Sequence, residues 1–474
     1  MKQLLLVFIL LISTSVSAYT QSNFIDQLLI SHEFFEKEMI NLKIKKLEME
    51  GDQANYGNWS WDIGAQIGRI HKDKQKYDYI SSADYARETS QDVRKISSDL
   101  SKKFFSNGSE LNLSFDRSLP VKDEQMHDKN DYQKDKNTTE YLNDASISWT
   151  VPLLKNKDGV VDQRTYDLSV LDYKDEKLLL AETQEDFIED KVFEFIDWVG
   201  FKWQIDAINK AIEKLQTIQI KITKNKPRDI KVLIRFIDKK KRLLLSLKSK
   251  LKAQSGLLSA SVKSIDLSKN LPTLPSIFYV DLINNVKRYC RSNIRDLQRI
   301  DIELQKNSRT IKTYKNSQLA DFDFTISASK DDNKGNYTSY SKSSETIVET
   351  KLVFSYPLSG DISNQVYLDK YRYKKRQIEL KYESKLKDVV SAIKKLKTDI
   401  KQGLIQLKLT QRQIKQHKID NELDLYFSGQ GDVRFAIIEQ DDYQELELEK
   451  VEILINLYKN KLKYNSLLDR LLPY

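Results

Sequence analysis

Cysteine is all but missing from this chain. Cys290 is the only one, so no disulfide can form within it, and a lone thiol reads as a bland buried or half-exposed side chain. Glycine and proline are scarce as well, 13 and 7 among 474 residues. That leaves few breakpoints for compact domains joined by ordinary loops. Beyond the N-terminus no apolar run approaches the ~20 residues that a membrane-crossing helix needs. Histidines stand singly, at 32, 71, 127 and 417. His32-Glu33 opens a zinc-protease-like pattern, but Glu36 sits where the second histidine would have to be. There is no Gly-x-Ser-x-Gly, no phosphate-binding loop and no cysteine cluster. The many carboxylates fall at helix salt-bridge spacing, where a solvated face is the ordinary outcome. No enzyme chemistry, cofactor or metal is expected.

What the chain has instead is charge on long periodic stretches. Charged residues make up 31% and hydrophobic ones 40%, which favours long amphipathic helices over one large core. Residues 1–18 combine Lys2, the apolar run Leu4–Ile12 and the small-residue end Val16-Ser17-Ala18. This reads as a cleaved signal peptide; the run is too short for an anchor, and no cysteine follows to carry lipid. The formal charge of +9 would suggest nucleic acid for an intracellular chain. For an exported one, anionic head groups, acidic partners or a plain solvated helix surface fit better, and no nucleic acid is expected.

One unit occurs twice: an alternating strand, a Pro-Leu pair, a glycine turn and a long run free of proline. The first copy reads Ser146-Ile147-Ser148-Trp149-Thr150-Val151-Pro152-Leu153, with Gly159 after it. The second reads Lys351-Leu352-Val353-Phe354-Ser355-Tyr356-Pro357-Leu358, with Gly360 after it. Arg164–Lys226 and Val366–Ser428 each hold 63 residues without a proline. As helix, each would be roughly 95 Å long. A repeat that conserves helix length this closely is a duplicated architecture.

Strand signals recur in step with the repeat. Trp59, Trp61, Ile63, Ala65 and Ile67 alternate with polar residues, and Phe322, Phe324, Ile326 and Ala328 repeat the pattern in the second half. A sandwich would explain such strands if a core lay nearby, but everything around them reads as helix. In an exported chain the alternation fits a barrel wall, apolar side to lipid and polar side to lumen. The expected lipid-facing set is Trp59, Trp61, Ile63, Trp149, Val151, Phe322, Phe324, Ile326, Phe354 and Tyr356. The first copy carries an insert that reads as a further hairpin, Val93–Phe104 and Glu110–Asp116 around Asn107-Gly108. Whether it joins the wall, folds back as a plug or stays at the surface is open at this level. Val121–Glu140 and Lys330–Ser344 read as exposed polar loops.

A helix is expected over Phe24–Glu50, and the long helices carry narrow apolar stripes that need partner helices. Those partners are return helices near Lys231–Ser261 and Phe435–Leu471, behind short tips at Thr223–Asp229 and Ser428–Asp432. The chain thus divides into a signal peptide (1–18), a first repeat (19–264), an irregular linker (265–283) and a second repeat (284–474).

This ordered set resembles the outer-membrane efflux proteins of the TolC type over essentially the whole mature length. Tyr426-Phe427-Ser428-Gly429 leading to Asp432-Val433 adds to the likeness. The resemblance implies an α+β membrane protein whose duplicated strand–helix repeat forms a trimeric outer-membrane β-barrel. A periplasmic α-helical, coiled-coil barrel would continue it. It also implies a homotrimer in contact with outer-membrane lipid, served by a periplasmic adaptor and an inner-membrane pump. The function implied is a passive duct for efflux or type I secretion. Tip or gate positions would be Lys224, Lys226, Arg228, Tyr426, Gly429, Asp432 and Arg434, and the strand-to-helix turns Pro152, Gly159, Pro357 and Gly360.

Two departures stand out. Family members often carry an acidic ring one turn into the last return helix, where this chain has Phe435 and Ile438. Lys221, Lys224, Lys226, Arg228 and Arg434 crowd the tips instead. They make either a basic mouth favouring anionic cargo or ordinary cations at helix ends. The other departure is at the first tip, where Asn225-Lys226-Pro227 replaces the expected glycine. The alternative reading, a periplasmic coiled-coil scaffold, explains the helices but not aromatic strands that recur in register.

Overall fold

The computed structural model describes residues 21–71, 87–118, 121–126, 138–225, 230–262, 282–335, 342–356, 362–417 and 419–472. The signal-peptide segment, most of the linker, Pro357 and Gly360 lie outside these. Contacts divide the chain into two units. One is sheet-rich (Lys43–Lys174 and Ile302–Glu379) and the other helical (Met1–Leu42, Asp175–Asp301 and Leu380–Tyr474).

The sheet unit holds β1 (Ser60–His71), β2 (Arg87–Phe104), β3 (Ser109–Ser118), β4 (Val121–Met126), β5 (Thr138–Pro152), β6 (Asp321–Gly335) and β7 (Lys342–Ser355). They form one antiparallel sheet in the order β1-β2-β3-β5-β6-β7, and β4 pairs with β2 and β5. β3 and β4 therefore share the same two neighbours on either side of residues 119–120. The inserted hairpin, β2–β3, sits between β1 and β5 as part of the sheet. Two sequence expectations are corrected. Val121–Glu140 is not loop throughout, because β4 and the start of β5 occupy its ends. Likewise β6 runs to Gly335 and β7 begins at Lys342, inside the expected Lys330–Ser344 loop. Ladder bonds join backbone groups, so paired strands continue past their apolar residues.

The first strand-to-helix turn is fixed by backbone the sequence marked only at Gly159. Asn156, Asp158 and Gly159 all have positive φ (64°, 58° and 62°). The Asn156 carboxamide accepts from the N–H groups of Val161 and Asp162 and donates to the Asp162 carboxylate. A Cβ on Gly159 would lie 1.8 Å from the carbonyl oxygen of Phe105 in the β2–β3 turn. Only glycine lets that turn approach.

The described helices are α1 (Gln21–Ser31), α2 (Glu33–Gly57), α3 (Arg164–Asn225), α4 (Ile230–Ser261), α5 (Val286–Asn293), α6 (Arg295–Ser317), α7 (Ile362–Gln416), α8 (Ile419–Phe427) and α9 (Val433–Ser466). α3 is a single 62-residue helix, as expected. Its counterpart is not continuous: α7 stops at Gln416, and α8 resumes at Ile419. His417, at the break, pairs through Nδ1 with Glu439 at 2.7 Å. The N-terminal helix is also split, at His32, whose Nδ1 accepts from the Phe34 N–H. At His32 the side chain captures a backbone donor and so competes with the helix ladder, and neither break needs proline.

The helical unit buries a core of Phe24, Leu28, Val192, Phe195, Trp198 and neighbours. A second cluster toward the tip gathers Leu215, Ile222, Leu233, Tyr426, Val433 and Ile437. Cys290 is a free, buried thiol, the first of the two expected settings.

Candidate functional site

Side chains directly opposite each other in an antiparallel ladder lie on the same face. The register therefore sorts the whole sheet into two surfaces. One row runs Trp61, Leu100, Leu113, Ile147, Ala328 and Val348 across six strands. The next runs Leu111, Trp149 and Ile326, then Val151 pairs with Phe324 and Phe322 with Phe354. Trp59 shares this face, with the Lys102 ammonium 5.3 Å from its ring. Tyr356 follows β7 and is half exposed. All ten residues of the expected apolar set are thus described, and the strand members fall on one side. Trp61, Ile63 and Phe354 are each more than 60% exposed. Within the described chain, nothing covers this face.

The opposite face is polar and carries carboxylates in register. Asp116 stands opposite Asp144, Asp144 opposite Asp331, and Asp331 opposite Glu345. One counter-charge is at hand, Lys95, whose Nζ lies 2.8 Å from Asp116. Serine and threonine fill the neighbouring rows, with Ser114 and Ser146 hydroxyls 2.6 Å apart and those of Thr150 and Thr325 3.0 Å apart. No sequence signal marked the carboxylate row, because its members come from four strands and meet only through the register.

The tip residues divide. Tyr426 is buried in the tip cluster, and Asp432 caps α9 by accepting from the Arg434 N–H at 2.9 Å. Gly429 has φ 85°, the left-handed turn that closes the α8–α9 connection. Arg434 and Lys221 are exposed. Lys224 falls on the last turn of α3, while Lys226 and Arg228 lie outside the described residues. Phe435 and Ile438 are exposed at the start of α9, with Val433, Ala436 and Ile437 buried beside them.

A second polar centre was not foreseen. Arg295, 2% exposed, pairs with Glu185, lies 3.6 Å from Glu182 and 3.2 Å from Asp469. Burial pushes the Glu182 carboxyl up to about 7, and the nearby Asp296 and Asp469 charges add to it while Arg295 opposes. Glu185 also accepts from the Leu471 N–H, so the network holds the C-terminal segment against α3 and α6. Among the described residues no group of His, Cys, Asp and Glu could hold a metal, and no helix is long and apolar enough to cross a membrane.

No protein-family model matches the sequence, and no curated protein matches it either. The fold is another matter: it is that of TolC-type outer-membrane channels. CusC, a transmembrane channel, superposes with a TM-score of 0.63 at 10% identity, over 97% of this chain and 95% of that one. The CmeC outer membrane channel of Campylobacter jejuni gives 0.58 at 11% identity, over 98% and 90%. The outer membrane protein VceC of Vibrio cholerae gives 0.56 at 10% identity, over 94% of each.

Proposed function

We propose that this protein is an outer-membrane channel that serves as the passive exit duct of an efflux or type I secretion system. The observation that carries the reading is the one-sided sheet. An apolar surface that wide, left bare by its own chain, suits lipid, and the carboxylate-bearing surface suits a water-filled lumen. The sheet cannot stand in lipid alone, because among the described residues β1 and β7 each have a neighbouring strand on one side only. Six strand positions per chain make β7 run antiparallel to the next copy's β1, so identical chains can close a ring. Three copies, as in the TolC type, would give about 18 strands and a correspondingly wide pore.

The wall residues then face lipid, and the tips lie at the periplasmic end. A periplasmic adaptor and an inner-membrane pump complete the exporter. The missing tip glycine and the Phe435/Ile438 pair imply contacts unlike the usual ones there. The chain contributes shape and charge to transport, with no bond made or broken.

The test is to purify the protein from outer-membrane fractions in detergent and record single-channel conductance in planar bilayers. Conducting pores from a trimer-sized species are expected. A soluble, non-conducting periplasmic species would overturn the reading in favour of a coiled-coil scaffold.

A further inference from the structure

The register sorts charge as well as apolarity between the two faces of the sheet. Arg94 stands opposite Ile67, Arg117 opposite Ile96, and Lys330 opposite Ala145, so all three cations lie on the apolar face. Asp116 and Asp331, their neighbours in sequence, lie on the other face with the carboxylate row. On the apolar face Asp332, 3.9 Å from Lys330, is the one carboxylate among the described side chains. A merely solvated rim has no reason to keep the two signs apart. Cations on one side and acids on the other, at the same level, mean that the two faces meet different surroundings there.

The cations stand among apolar side chains rather than in a polar patch. Arg94, Arg117 and Lys330 are exposed, and so are Ile67, Ile96 and Phe115 around them. No described residue pairs with Arg94 or Arg117. Arg94 is the diagonal neighbour of Arg117, about 7–8 Å away in such a ladder. Two guanidinium forks at that spacing can converge on one phosphate.

Their height names the occupant. Counted along each strand from the end that joins the helices, Arg117 is eight residues from Ser109, Lys330 eight from Phe322 and Arg94 ten from Phe104. That is roughly 27–34 Å along a strand, or about 21–26 Å of height at a tilt near 40°. The apolar band of an outer-membrane wall is about 25 Å tall. With Trp59, Phe354 and Tyr356 at the near edge of the band, the cations fall at the far edge. A lysine or arginine on the lipid side costs little at that depth, and lipid head groups lie level with it.

We propose that Arg94, Arg117 and Lys330 form a cationic band that binds the phosphate groups of anionic lipid in the outer leaflet of the membrane. Arg94 and Arg117 clamp one phosphate, and Lys330, two strands further along the sheet, holds another. The band rests on the reading of the sheet as a barrel wall and adds which lipid that wall selects. Apolar contact alone lets a barrel slide along the membrane normal, whereas a phosphate clamp fixes its depth.

The test uses the full-length channel, purified in neutral detergent and freed of co-purifying lipid. Lipid A, a phosphorylated glycolipid, is the probe, with phosphatidylethanolamine and inorganic phosphate as controls. Native mass spectrometry gives the apparent affinities. At roughly fivefold per cation near an anionic surface, Arg94→Gln with Arg117→Gln should weaken lipid A binding about 25-fold and leave phosphatidylethanolamine binding unchanged. Lys330→Gln alone should weaken it about fivefold, and serves if the double variant does not assemble. Arg94→Lys with Arg117→Lys keeps the charge and should retain most of the affinity. Equal lipid A binding by native and substituted channels would overturn the band. Displacement of lipid A by inorganic phosphate would do the same, by making this a site for soluble anions. Both outcomes leave the duct reading standing. A chain that never reaches the outer membrane sinks the duct reading, and the band with it.

Discussion

In the sheet unit Trp61, Ile63 and Phe354 stand more than 60% exposed, whereas in the helical unit Phe195 and Trp198 are 0% and 1% exposed. Both units are built from segments with one apolar and one polar side. In the helical unit, apolar side chains of α1, α3, α4 and α9 turn toward one another and form buried clusters. The sheet has no second layer, so its apolar side remains a surface. Amphipathic pattern alone therefore does not say what covers the apolar side. In the helices the cover is protein, and in the sheet it is a solvent that the chain has to find.

The sharpest way to break that contrast is to place a charge on each face of one strand. Trp149→Arg should cost about 2–4 kcal/mol, the penalty for a cation near the mid-plane of an apolar band. Ser148→Arg, on the polar face, should leave assembly intact. The yield of detergent-resistant trimer in membrane fractions reads both, and equal losses would contradict the assignment of faces. Next in size is Gly159→Ala. The positive φ and the close Phe105 carbonyl make it strained whatever the neighbours do, at roughly 1–3 kcal/mol. A lower melting temperature for the pore-forming species, with unchanged helix content, is the expected result.

A smaller effect sharpens the contrast in charge. Asp144→Asn with Glu345→Gln removes half of the carboxylate row. Native pores should prefer cations, and the variant's reversal potential in a salt gradient should move toward zero. Native anion preference would instead give control to the basic tip around Lys221 and Arg434. The smallest effect lies in the helical unit. The Glu182 carboxyl is held near 7, above its ordinary value, so folded protein keeps a proton that unfolded protein has lost. Stability should fall as pH rises from about 4.5 toward 7. Glu182→Gln should therefore raise the melting temperature at pH 8 and leave it nearly unchanged at pH 5.

Much of the sheet was legible because aromatic alternation, the Pro-Leu pairs and Asn107-Gly108 are local signals. The polar ends of the strands were not, since Val121–Met126 and the start of β5 are held by backbone pairing rather than by side-chain pattern. Proline-free length pointed rightly to one continuous α3. It missed the break at His417, which no proline marks. Tyr426 was placed by its motif, but its burial in the tip cluster depends on Leu215 and Leu233, far away in sequence. Arg295 and its carboxylates and the Asp116–Glu345 row were invisible for the same reason. Each is assembled from separate elements, and nothing in the local sequence announces it.

The free rows on β1 and β7 also bear on time. In the proposed ring, each chain would present two unpaired edges and an uncovered apolar sheet until a neighbour arrived. Closure would join separate molecules, so its rate would climb with the concentration of unassembled chains, as would the rate of wrong edge-to-edge pairings. On that reading the interval before closure is the hazardous one, and the yield of channels would be set by a race between correct and incorrect association.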